Sequence, residues 1–254
     1  MRLSIQTAGL TDPGLVRANN EDAVCVDESL GLLMVADGMG GHKAGEVASG
    51  IAIKAIPDQL RQLGREGPAN TDLLGLCFET ANQMIFEAAN SSPDDSGMGT
   101  TCTAALITGD RLSVAHVGDT RCDLFRHGQL QQLTEDHSLA MEQLKHGLIS
   151  KEQAGYINQN VLTRSLGTQP EVKIDLDEHP LLPGDVLLLC SDGLGKELTD
   201  EQVTEAMMET PEPAELVRRL VDQANAAGGR DNITVAVARI RKASWADWIR
   251  SLFR

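Results

Sequence analysis

The chain has 254 residues, 41% hydrophobic and 23% charged but only 3% aromatic, so its core must be built from Leu, Val, Ile, Ala and Met. A net charge of −15 and a pI near 4.7 set most of the surface against a phosphate backbone, which argues against nucleic acid as partner. No segment approaches the ~20 apolar residues that span a bilayer, and residues 1–14 lack a signal-peptide core, so no transmembrane segment and a cytoplasmic location are expected.

In chain order, apolar runs predict strands over 3–8, 23–26 and 32–36, and helical periodicity then predicts helices over 44–63 and 73–89. Strands over 101–108, 112–117 and 122–125 come after them, with Thr108-Gly109-Asp110 and His127-Gly128 as hairpin turns. The stretch from Glu135 to Gln159 is polar and weakly periodic, fitting either a flap or two short helices. Strands over 172–176 and 186–190 come next, then helices over 200–208 and 212–226, then a last strand over 233–240. Thr199 with Gln202 reads as a capping box opening the third helix. Consecutive strands on short turns favour antiparallel sheets, and segregated helices and strands make an α+β layered sandwich.

The five cysteines are odd in number and form no C-x-x-C pair, which suits buried reduced thiols in a reducing compartment. His116 lies inside a strand run and reads as a core histidine, while His137, His146 and Met207-Met208 read as surface or packing residues. Four aspartates share a more telling position. Asp37, Asp119 and Asp192 each close an apolar run, and Asp231 opens one, so each stands at the end of a predicted buried strand. A single Asp-Gly is ordinarily a turn. If the four converge, an all-oxygen donor set selects Mg²⁺, Mn²⁺ or Ca²⁺, and the six histidines show no zinc-binding spacing. Two such ions ~3.5–4 Å apart can activate a water for attack at phosphorus. The glycines after Asp37 lack the Lys-Ser of a nucleotide loop.

Three ordered stretches carry a family resemblance: Gly14-Leu15-Val16-Arg17 into Asn20-Glu21-Asp22, Asp37-Gly38-Met39-Gly40-Gly41-His42, and Gly229-Arg230-Asp231-Asn232-Ile233-Thr234. With Gly99-Thr100-Thr101, Val117-Gly118-Asp119-Thr120-Arg121, Leu166-Gly167 and Leu189-Cys190-Ser191-Asp192-Gly193, they resemble the metal-dependent Ser/Thr protein phosphatases of the protein phosphatase 2C family, compact bacterial type. The resemblance covers residues 1–240 as a catalytic domain and implies a four-layer αββα sandwich of two antiparallel sheets flanked by helices. It implies two Mn²⁺ or Mg²⁺ ions held by Asp37, the Gly38 carbonyl, Asp192 and Asp231, with a third, weaker ion at Asp119 and Asp192. Glu21, Asp22 and Asn232 match groups that orient metal-bound water. Arg17 matches the phosphate-gripping arginine, whose planar fork a lysine cannot reproduce.

His42 resembles the family's candidate general acid, although Met39-Gly40-Gly41 intervene where animal members place the histidine directly after Asp-Gly; ordering the loop or touching substrate are its other roles. The implied reaction is hydrolysis of phosphoserine and phosphothreonine in proteins by a metal-bridging hydroxide. Phosphoproteins and an opposing Ser/Thr kinase with its substrates are the expected partners of a monomer. A catalytically weak member acting as a regulatory binding module is the alternative, and a two-metal nuclease fits the carboxylates but not the acidity.

Residues 241–254 lie beyond the resemblance. From Arg239 onward five basic residues face only Asp247, a local charge of +4 against −19 elsewhere. Trp245, Trp248, Ile249, Leu252 and Phe253 share one face of a predicted basic amphipathic helix, which either docks on the domain or anchors to a partner groove or an anionic membrane.

Overall fold

The structure is a computed structural model that describes residues 3–40, 44–64, 70–150, 153 and 161–243. Eleven strands are described: β1 (Leu3–Asp12), β2 (Asp22–Asp27), β3 (Leu32–Met39), β4 (Gly99–Thr100), β5 (Cys102–Thr108), β6 (Arg111–Val117), β7 (Arg121–Arg126), β8 (Gln129–Gln132), β9 (Asp175–Pro180), β10 (Val186–Cys190) and β11 (Ile233–Lys242). Six α-helices are described with them: α1 (Ala44–Leu63), α2 (Asn70–Ser91), α3 (Leu139–Lys145), α4 (Asp192–Glu197), α5 (Asp200–Glu209) and α6 (Pro213–Ala227).

The strands form two antiparallel sheets, ordered β1-β11-β10-β7-β8 and β2-β3-β5-β6-β9, with β4 paired to the end of β3. Alternation along each strand explains why the sheets pack as a sandwich. On β3, Leu33 and Val35 point between the sheets, while Leu32, Met34 and Ala36 point to α1 and α2. On β10 and β11, Leu187, Leu189, Ala236, Ala238 and Ile240 point inward, while Val186, Leu188, Ile233, Val235 and Val237 pack under α4, α5 and α6. Three apolar layers result, and the chain is the αββα sandwich expected from its sequence.

The main helices and strands fall where periodicity places them, and Thr199 and Gln202 form the predicted capping box. Arg126–Gln129 pair across His127 and Gly128, which both take positive φ (53° and 80°), the requirement of a tight hairpin. The expected strand over 172–176 is instead β9, three residues later: Val172 and Ile174 pack against the helix-side core before the strand begins. Both β8 and β9 are polar edge strands, which carry little apolar signal. Of the region 135–159, α3 is described; residues 151, 152 and 154–160, like the expected helix of the tail from residue 244, lie outside the described residues. No helix among the described residues is long and apolar enough to cross a membrane.

Far from the strand ends that carry the aspartates, Arg126 grips Asp185 through Nε (2.8 Å) and an Nη (2.6 Å). Asp185 is 2% exposed and also accepts from the Leu182 amide. Removing the arginine leaves a buried charge without its countercharge and with only the Leu182 amide, so Arg126→Ala should cost about 2–3 kcal/mol in urea unfolding. A loss below about 0.5 kcal/mol would mean that the pair is no more than a surface ion pair.

Candidate active site

The four strand-end aspartates do meet at one rim of the sandwich. Oxygens of Asp37, Asp119 and Asp192 lie within 4.8 Å of one another. Asp37 is at the end of β3, its amide donating to Thr101 Oγ1 (3.1 Å) and its carbonyl accepting from the Thr101 amide (2.8 Å) and Thr100 Oγ1 (2.9 Å). Asp192 opens α4 directly after β10, and Asp119 sits between β6 and β7. Asp22 stands opposite Asp37 in the β2–β3 register.

Neither Asp-Gly is a turn. Gly38 lies within β3 and Gly193 within α4. A Cβ on Gly38 would stand 2.0 Å from the Gly45 carbonyl oxygen, and one on Gly193 would stand 2.0 Å from that of Asn232. The glycines are required because neighbouring backbone passes too close for any side chain.

Asp231 is gripped from two sides. Arg17, half exposed, pairs with it through Nε (2.9 Å) and an Nη (3.1 Å). Lys196 Nζ lies 3.0 Å from Asp231 Oδ2 and 2.5 Å from Asp192 Oδ2, linking the fourth aspartate to the trio. Asn232 uses its whole amide on backbone: its oxygen accepts from the Glu21 amide (2.9 Å), and its nitrogen donates to the carbonyls of Pro13 (3.0 Å) and Asn19 (2.9 Å). It thereby ties the segment bearing Arg17 and Glu21 to Asp231. His42 lies outside the described residues.

Crowding acidic groups in a partly dry rim disfavours their charged forms. Burial, with the charges of Asp22, Asp192, Asp119 and Asp231, pushes the Asp37 carboxyl well up. Burial and Asp192 push Asp119 up to about 7. Burial pushes Asp22 up to about 6; the Ser191 and Thr234 hydroxyls oppose this from nearby without hydrogen bonds of normal geometry. Burial also raises Asp192 and Glu21, against the opposing charges of Lys196 and Arg17 respectively. Burial would raise Asp231 too, but Lys196, the Asn232 amide and Arg17 hold it below the usual range.

The donor set fits hard divalent ions. All donors are oxygens, three carboxylates already converge, and Asp192 Oδ1 is buried with no hydrogen-bond partner among the described residues. A cavity of about 160 Å³ adjoins them, lined by Asp119, Asp192 and Lys196 on one side and Arg121, Met141 and Leu144 on the other.

The model of the family described as "Protein phosphatase 2C" matches residues 16–227. The chain belongs to that family. It is similar to the serine/threonine protein phosphatase PstP of Mycobacterium tuberculosis, 41% identical over 240 residues, which are 94% of this chain and 45% of PstP. The chain thus spans about half the length of that relative. It is 38% identical over 231 residues to the serine/threonine phosphatase stp of Listeria monocytogenes, covering 89% of this chain and 92% of stp. The catalytic domain of PstP, solved in complex with two manganese ions, superposes with a TM-score of 0.85 at 40% identity, over 94% of this chain and all of that one.

Within this protein phosphatase 2C chain, two features went unread in the sequence. Lys196 is one; its signal was the i, i+4 spacing from Asp192, legible only once a helix is placed there. The other is a buried histidine pair beneath Asp119, with ring centroids 4.6 Å apart. His116 Nδ1 meets Thr103 Oγ1 (2.8 Å), which meets Thr120 Oγ1 (2.8 Å), and His116 Nε2 reaches the Glu135 carbonyl (3.1 Å). His137 Nδ1 accepts from the Gly118 amide (3.0 Å), and its Nε2 reaches Asp175 (3.1 Å). Burial drives the His116 imidazole down to about 4 and lowers His137, so both rings are neutral at pH 7. His116 is the core residue expected, and His137 is buried packing rather than surface.

These shifts set a pH dependence for metal-free protein. A carboxyl raised on folding holds its proton after the unfolded chain has lost it, so stability falls as pH rises toward the folded value. The lowered histidines act oppositely, but only below about pH 6.5, where unfolded histidine takes up protons. Between pH 6.5 and 8 the raised acids act: Asp37 and Asp119 at the rim, and Asp123 on β7, which burial pushes up to about 7. With EDTA present, stability should drop across that window by an amount on the order of 1–2 kcal/mol, and Asp119→Asn should shrink the drop. A melting temperature that is flat or rising from pH 6.5 to 8 would contradict this picture of the rim.

Proposed function

We propose that the chain hydrolyses phosphoserine and phosphothreonine in proteins, using two Mn²⁺ or Mg²⁺ ions, and that it opposes a Ser/Thr kinase. The observation that carries this reading is the convergence of Asp37, Asp119 and Asp192 within 4.8 Å, beside an arginine fork seated on Asp231. Two divalent ions, when bound, supply an activated water and offset the charge of the phosphoryl group. Asp37, the Gly38 carbonyl, Asp192 and Asp231 would hold them, and Asp119 with Asp192 would hold a third, weaker ion. Glu21 and Asp22 border the ligands and would orient water, while Asn232 keeps the segment from Pro13 to Glu21 in place.

Arg17 binds the phosphate. Its guanidinium already makes a two-pronged carboxylate contact, and the same fork matches two phosphate oxygens. His42 donates the proton that the departing Ser or Thr alkoxide needs. The names of the relatives and the manganese-bound relative support the reading, as does a cluster that is all carboxylate among the described residues.

The test is phosphate release from a phosphothreonine peptide. Activity should vanish with EDTA and return with Mn²⁺. Asp192→Asn should lose more than ~100-fold, beyond the 10–100-fold that losses outside the ligand shell cost. His42→Ala should lower kcat for the peptide far more than for p-nitrophenyl phosphate, whose leaving group needs no proton; equal losses would remove His42 from that role. Full peptide activity in EDTA would end the reading, and folded protein that binds phosphopeptide without releasing phosphate would favour a binding module.

A further inference from the structure

Lys196 contacts two of the carboxylates assigned to the metals, and the fold holds it there. Asp192 and Lys196 are one helical turn apart on α4, which places the ammonium over the carboxylate. One residue further on, Glu197 accepts from the Arg230 amide (3.0 Å) and Arg230 Nε (2.8 Å), and an Arg230 Nη reaches the Lys196 carbonyl (3.3 Å). This clamp fixes the register of α4 against the segment entering β11. Residues 196 and 231, the sequence neighbours of the clamped pair, are thereby brought face to face.

The charge balance gives the contact its meaning. Asp37, Asp119 and Asp192 repel one another across less than 5 Å. Among the described residues, the cations hydrogen-bonded to metal-assigned carboxylates are Arg17, on Asp231 alone, and Lys196, on Asp192 and Asp231 together. An ammonium between two carboxylates occupies the electrostatic position that a divalent ion would take. Its stem is long and flexible, so it can leave.

We propose that Lys196 is the internal cation of the metal-free site, holding Asp192 and Asp231 together in the absence of metal and competing with metal for them. Metal entry displaces the ammonium from at least one carboxylate, so the ligands bind Mn²⁺ less tightly than they would without it. Metal affinity is thereby tuned by a residue that is not a ligand. This inference rests on the metal reading above and deepens it.

The experiment is calorimetric titration of Mn²⁺ into the full chain stripped with EDTA and dialysed, with melting of the metal-free protein alongside. Lys196→Met and Lys196→Gln should each bind Mn²⁺ roughly tenfold or more tightly, because a repelling charge 2.5 and 3.0 Å from the ligand oxygens is gone. Their metal-free melting temperatures should fall by several degrees, while Lys196→Arg should stay near the parent in both. Unchanged or weaker Mn²⁺ binding in the Met and Gln variants overturns the competition, and unchanged melting overturns the holding role. Asp192→Asn separates the two levels: if it binds Mn²⁺ as the parent does, the metal reading falls, and this inference with it. If it loses Mn²⁺ while the Lys196 variants match the parent, this inference alone falls.

Discussion

Mutual repulsion among carboxylates at one rim of the sandwich is the constraint around which the rest is arranged. Asp22, Asp37, Asp119, Asp192 and Asp231 come from five different segments, and the first four would sit more favourably in water or farther from the others. The cost is on the order of several kcal/mol. The offset is the three-layer core, in which each fully buried Leu, Ile or Val contributes about 1.5–3 kcal/mol, and the core clusters hold dozens of buried side chains. Rigidity at strand ends is what allows charges to be held where a cation wants them.

The fold reaches that rim with few moving parts. Central strands β3, β10 and β11 are apolar on both faces, so their backbones are pinned by packing on either side. Hydrogen bonds to backbone then fix the segments at the strand ends: Thr100 and Thr101 on Asp37, Asn232 on the segment from Pro13 to Glu21, and Glu197–Arg230 on α4. Close backbone passages at Gly38 and Gly193 leave no room for a side chain, so substitution there should disturb geometry before it disturbs charge. Beneath Asp119, the neutral histidine pair joins the Gly118 loop to the residues that lead into α3. The site and the residues leading into α3 therefore share one buried polar network.

Much of this was legible in the sequence, for physical reasons. Continuous apolar runs on β3, β10 and β11 and the long amphipathic helices α1, α2 and α6 report burial directly, and the apolar runs put Asp37, Asp119, Asp192 and Asp231 at strand ends. What was hidden lacked an apolar signature. The strands β8 and β9 are polar edges, and α4, with the sequence DGLGKE, has two glycines in six residues and little helical propensity. Lys196 was therefore never placed one turn from Asp192. The pairing of His116 with His137 depends on tertiary approach across 21 residues, for which sequence spacing offers no signal.

On the proposed reading, the rim is a hard-cation site whose ligands come from separate strand ends. Anomalous diffraction at the manganese edge, on crystals grown with Mn²⁺, tests this most directly. Two strong peaks are expected, bounded by the carboxylates of Asp37, Asp192 and Asp231, with Lys196 Nζ withdrawn from at least one aspartate. An absence of peaks at saturating Mn²⁺, or peaks elsewhere with the Lys196 contacts intact, would contradict it.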